Sequence, residues 1–147
     1  MDARERFERT RRAVVRLNEV KHLIMYDCDD WKPQGVKSHG ETSDPTAQHA
    51  IYAVDELGVK LEALRAEERE LEQLIGESLV IVRRVREGLG DSYANALDGR
   101  YFEGWTYERI AEEYSMKKAT AYRHVYVALD WIDSVGVSRL LRGEVDV

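Results

Sequence analysis

A single cysteine, Cys28, leaves this chain unable to close an internal disulfide. A reducing cytosol is therefore its expected compartment, making it a cytoplasmic protein. Prolines are as scarce. Pro33 and Pro45 are the two present, so long helices are permitted everywhere else. No apolar run reaches the roughly 18 residues that span a bilayer, so no membrane segment is expected. The N-terminus is charged throughout and lacks the apolar stretch of a secretory signal. Also missing are a Gly-rich phosphate loop, an HExxH pair and a serine-nucleophile motif, so no enzymatic centre is expected. His22, Cys28 and His39 are ligand-type residues, as are Asp27, Asp29 and Asp30. Their spacing fits no zinc finger and one thiolate is too few, so neither a metal nor a cofactor is expected.

What the chain does have is charge at helical spacing. Charged residues make up 34% of it, and its apolar residues recur with helical rather than alternating period. An all-α protein follows, with an N-terminal helical hairpin or coiled coil before a C-terminal trihelical unit. Residues 3–28 read as a first helix within an N-terminal segment of residues 1–30. Val14, Leu17, Val20 or Lys21, and Ile24 form its inward stripe, widened by Leu23 and Met25. Residues 31–43 hold Pro33, Gly35 and Gly40 and read as a flexible linker.

Asp44-Pro45 begins a long helix that reaches Glu87 within the segment 44–89, ended by Gly88 and Gly90, with Gly58 and Gly76 as points where it can kink. One heptad seam takes Ala47, Val54, Leu61, Glu68, Ile75, Val82 and Leu89. The other takes Ala50, Leu57, Leu64, Leu71, Ser78 and Val85, so Glu68 and Ser78 are the polar exceptions. At 1.5 Å per residue this helix spans roughly 65 Å, so its seam must pack on another helix. The first helix, folded back antiparallel on the N-terminal half, is the nearest partner. Seam left uncovered suits a second copy, which makes a dimer through residues 44–89 the expected assembly. Leu74, Leu79, Val80 and Ile81 widen the apolar surface and are expected to meet the C-terminal unit. Asp91 is expected to cap the next helix, Ser92 to Glu103, with Ala94, Leu97 and Tyr101 inward and Gly104 closing it. Residues 136–147 form a tail with a short helix through Leu140-Leu141.

The segment 90–135 contains the most specific pattern, WTYERIAEEYSMKKATAYRHVYVALDWI from Trp105 to Ile132. Thr106 can N-cap a helix whose apolar face is Ile110, Ala111 and Tyr114. Ser115-Met116-Lys117 reads as a turn with Met116 plugged inward. The following helix turns Ala121, Val125, Ala128, Leu129 and Ile132 inward, spaced 4, 3, 1 and 3. Lys117, Lys118, Tyr122, Arg123 and Tyr126 face outward, and Thr120 sits near the helix start, where free backbone N–H groups suit a phosphate. That is a helix-turn-helix, and those six residues are the expected DNA contacts. His124, between the two faces, reads as a packing or phosphate residue. Arg100 can reach the DNA backbone or pair with Glu103 or Glu112.

This pattern resembles region 4 of bacterial sigma factors. The shared places are Thr106, Glu108, Ile110-Ala111, Tyr114, Thr120 and Ala128-Leu129, with no gap across the stretch. Two positions depart from it. The family often has Gly where this chain has Ser115, and Val or Ile where it has Ala121. The wider order of Leu97, Arg100-Tyr101-Phe102 and Trp105 after a long charged helix is similar to small phage-encoded regulators of late transcription, the ArpU and RinA type. The resemblance implies a sequence-specific regulator of transcription that binds double-stranded DNA, with RNA polymerase as a further partner, in a bacteriophage or prophage setting.

Charge works against that implication. The net charge is −6, from 22 Lys and Arg against 28 Asp and Glu. The N-terminal residues 2–21 run the other way, with seven basic and four acidic side chains, or +3. Phosphate neutralisation supplies much of DNA affinity, so a single copy is expected to bind weakly, which points to dimerisation, to a basic N-terminal arm on the DNA, or to help from a partner such as RNA polymerase. Two other readings keep the same helices. A phage small-terminase-like packaging subunit would form a ring of eight or more copies. A polymerase-binding adaptor would use the helix-turn-helix against protein and tolerate the negative charge.

Overall fold

A computed structural model describes the backbone of residues 2–28 and 44–143, and the side chains of residues 2–25 and 56–143. The expected linker at 31–43, the side chains of seam residues Ala47, Ala50 and Val54, and tail residues 144–147 lie outside this description. The described chain is all-α. Helix α1 runs Ala3–His22 and continues as a π-helical stretch, Leu23–Cys28. Then come α2 (Asp44–Gly88), α3 (Asp91–Tyr101), α4 (Tyr107–Glu113), α5 (Lys118–Val135) and α6 (Val137–Arg142). Helix α2 passes unbroken through Gly58 and Gly76. No helix among the described residues is long and apolar enough to cross a membrane.

The chain divides into two compact units, one of residues 1–15 with 73–147 and the other of residues 16–72, so α1 and α2 each contribute to both. In the smaller unit Val20, Ile24 and Leu64 are buried, with Leu23, Leu57, Leu61 and Leu71 packed around them. Val20, not Lys21, takes the inward position, and Lys21 pairs with Glu72 at 3.6 Å. Leu23 widens this face as expected, but Met25 is 58% exposed. Arg16 grips Glu67 through two parallel bonds, Nε to Oε1 at 2.6 Å and Nη2 to Oε2 at 3.1 Å.

The larger unit is built around Phe7, Ile81, Val85, Leu97, Ile110, Ile132 and Leu140, all fully buried. The inward stripe of α1 therefore extends further toward the N-terminus than Val14. It continues through Ala13, Thr10, Phe7 and Ala3, at the same helical spacing. Phe7 meets Tyr101 at 5.3 Å and Phe102 at 6.4 Å between ring centroids. Thr10 interrupts the apolar pattern, which is why the stripe is hard to follow in sequence, yet it is fully buried against Ser78. Arg6 pairs with Glu77 beside it.

Along α2 the inward path is Ser78, Ile81, Val82 and Val85. Leu79 and Val80 are 47% and 36% exposed, so of the four residues expected to widen this surface only Ile81 is buried and Leu74 half-buried. The start of α3 also differs from expectation. Gly90, with φ 113°, takes the N-cap place without a side-chain bond, and Asp91 is the first helical residue. The Asp91 carboxylate accepts from Arg86 Nη1 at 2.8 Å instead of capping. Ala94, Leu97 and Tyr101 face inward as expected, and Gly104, at φ 71°, follows the helix end.

Candidate nucleic-acid interface

Thr106 opens α4 in extended conformation and its hydroxyl accepts from the Arg109 N–H at 3.2 Å. That bond satisfies one of the donors every helix start leaves open. Ile110 and Ala111 turn into the core. At the other end Ser115 has φ 53°, the left-handed region, and the Met116 N–H donates to Ala111 O at 2.9 Å. This is a Schellman-type close, in which a left-handed residue lets the chain reverse and return a hydrogen bond to the last turn. Met116 is half-buried against the core, as a plug for the turn. The chain then re-enters a helix at Lys118.

Helix α5 buries Ala121, Val125, Ala128, Leu129 and Ile132, the five residues expected on its inner face. With that face fixed, the others must project outward. Tyr122 and Tyr126 are 54% and 53% exposed, their rings stacked at 6.3 Å and 18°. Tyr107, from the first turn of α4, sets its ring edge-on to Tyr122 at 5.2 Å. These three tyrosines, with Lys118, Ala119 and Arg123, line an open concavity of about 610 Å³. Tyr107 was not among the residues singled out from sequence. It lies one place after the cap, and only the crossing of α4 over α5 brings it to Tyr122.

The start of α5 is unusual for a helix. Its N-cap residue Lys117 forms no side-chain cap, and no acid lies in its first turn. Lys117 and Lys118 put positive charge at the positive end of the helix dipole, where cations are disfavoured by about 0.3–1 kcal/mol. An uncapped, cationic helix start is suited to an incoming anion. Thr120 sits half-buried at the third helical residue. Lys118 pairs with Glu108 of α4 at 3.1 Å, a contact exposed on both sides and thus worth little by itself. Lys117 and Arg123 form no ion pair among the described residues.

Neither carboxylate proposed for Arg100 is its partner. Its Nη1 donates to Trp105 O at 3.2 Å, and its guanidinium lies 4.5 Å over the Tyr107 ring. Arg109 packs over Trp105 at 5.1 Å and reaches Glu113 at 3.8 Å. His124 packs against Tyr93, with ring centroids 4.3 Å apart and planes tilted by 36°. Its Nδ1 is buried without a hydrogen-bond partner. Burial, reinforced by the neighbouring Arg123 charge, lowers the His124 pKa below its ordinary 6.5. The imidazole is a packing group that favours its neutral form.

Compared with protein-family models, with curated proteins and with solved structures, the chain shows no match.

Proposed function

We propose that this chain is a sequence-specific regulator of transcription, a sigma-region-4-like helix-turn-helix protein of the phage late-gene type. In this reading α4 and α5 are the two helices of the motif, and α5 enters the major groove of double-stranded DNA. One observation carries it: the outward face of α5 combines two exposed stacked tyrosines with Lys117, Lys118 and Arg123, at a helix start that has no side-chain cap. Lys117 and Thr120 hold backbone phosphate. Arg123, Tyr122 and Tyr126 meet base edges, the tyrosine rings against thymine methyls. Two copies joined through α2 offset the weak charge of one, and RNA polymerase is a further partner.

The test is duplex binding by the full chain, read by fluorescence anisotropy on sites selected by the wild type. Arg123→Ala is expected to weaken binding about tenfold, the equivalent of about 1.4 kcal/mol, and to relax base preference. Lys117→Ala is expected to weaken all sequences alike and to lower the salt slope by about 0.9. Wild-type affinity in both variants, at unchanged helicity, would refute the interface.

A further inference from the structure

The tyrosines at the far end of the α5 face border a second, narrower crevice. It holds about 60 Å³ and is lined by Arg4 and Glu8 of α1, Arg100 and Tyr107, and Tyr122 and Tyr126 of α5. Arg4 is exposed and makes no ion pair among the described residues. Among the described residues Arg100 is bonded only through its Trp105 carbonyl contact and the Tyr107 ring, and no carboxylate pairs with it. Two arginines thus line one crevice beside the rings that project from α5, with Glu8 the one acid among the described residues that line it.

The position of Arg4 is set by contacts on both sides of it. The Ala3 N–H, an open donor at the start of α1, is taken by Asp133 Oδ1 of α5 at 2.7 Å. Three residues after Arg4, Phe7 is fully buried against Tyr101 and Phe102. Arg4 therefore belongs to the same packed unit as α5, and is not carried on a loose arm.

We infer that α1 is a second part of the DNA-binding surface, with Arg4, seconded by Arg100, holding a backbone phosphate beside Tyr122 and Tyr126. This rests on the DNA-binding reading above. Lys117 and Lys118 at the start of α5, and Arg4 with Arg100 in the crevice beside Tyr122 and Tyr126, thus offer cations at two places along the helix that enters the groove. Of the cations of α1, Arg4 lines this crevice, whereas Arg6, Arg16 and Lys21 pair with Glu77, Glu67 and Glu72.

The experiment uses the full chain and a labelled duplex selected by the wild type from a random pool. Affinity is measured from about 50 to 200 mM salt, where the slope of log K against log salt counts phosphate contacts at about 0.9 each. Arg4→Ala is expected to lower that slope by about 0.9 without altering base preference, and Arg4→Lys is expected to restore it. Arg9→Ala, the same charge change on an exposed position away from the crevice, is expected to leave the slope unchanged. A wild-type slope in Arg4→Ala, or an equal loss in Arg9→Ala, would overturn the role of α1 and leave the α5 interface standing. Absence of any duplex binding by the wild type at low salt would instead remove the DNA-binding reading, and this inference with it.

Discussion

Thr10 Oγ1 and Ser78 Oγ lie 2.7 Å apart, and both side chains are fully buried between α1 and α2. Thr10 Oγ1 also reaches Arg6 O at 2.9 Å. A hydroxyl has one proton, so Thr10 donates to the carbonyl and the Ser78 hydroxyl donates to Thr10. Each polar atom finds a partner, which is the condition for burying it. The pair is thus a polar stitch in an otherwise apolar seam.

Breaking the stitch from either side should destabilise the fold. Ser78→Ala is expected to cost about 1 kcal/mol, the net worth of a typical hydrogen bond. Thr10→Val is expected to cost about 1–2 kcal/mol, because it strands the Ser78 donor. The double variant should lose less than the sum by about 0.5 kcal/mol or more, since the two side chains share one interaction. Urea unfolding of the four proteins measures this, and strict additivity would show the hydroxyls to be uncoupled.

The turn between α4 and α5 carries strain that a glycine would relieve. Ser115 holds φ 53°, a region costing an L-residue with a side chain about 1–2 kcal/mol. Glycine adopts it freely but loses more chain entropy on folding. Ser115→Gly is therefore expected to stabilise the protein by about 0.5–1 kcal/mol in thermal or urea unfolding. Destabilisation would mean that the serine side chain makes a contact outweighing the strain.

His124 should leave a signature in the pH dependence of stability. Its folded-state pKa is lowered, first by burial and then by Arg123, while the unfolded chain keeps the ordinary value of 6.5. Above that value both states are neutral and the residue contributes no slope. As pH falls through 6.5 the unfolded state takes up a proton that the folded state resists, and stability declines. The stability difference between wild type and His124→Phe should therefore move against the wild type on acidification. A difference that stays constant from neutral to acid pH would show that His124 is freely protonated in the fold.

Gly88 marks where α2 passes α5. A Cβ there would lie 2.5 Å from Cζ2 of Trp131 and 2.9 Å from its Cη2. Trp131 is half-buried against the core and a tryptophan ring is rigid, so it must swing aside as a whole. Gly88→Ala is expected to destabilise by about 1–3 kcal/mol, in the range of overpacked sites, and to shift the Trp131 environment in near-UV circular dichroism. An unchanged spectrum and stability would mean that the ring moves without cost.

Much of the helical layout was legible in sequence because it depends on local chemistry. The Thr106 cap, the Met116 plug and the five inward residues of α5 follow from spacing and residue type alone. The parts that were not legible depend on which helix meets which. Phe7 is separated from Val14 by polar Thr10, and a polar residue reads as an outward one until Ser78 is seen opposite it. Asp91 has the chemistry of a cap, but Arg86 one turn upstream takes its carboxylate. Tyr107 and Arg4 reach the tyrosine face only through the crossing of α4 and the anchoring of α1, which no periodicity encodes.

The most direct measurement of the central claim is selection of duplexes from a random pool by the full chain at low salt, followed by sequencing. A recurring motif is expected, and it should weaken at defined positions when the pool is reselected with Arg123→Ala. A pool that stays unenriched, with RNA polymerase captured instead by the same protein, would contradict DNA reading by α5 and favour an adaptor that grips protein.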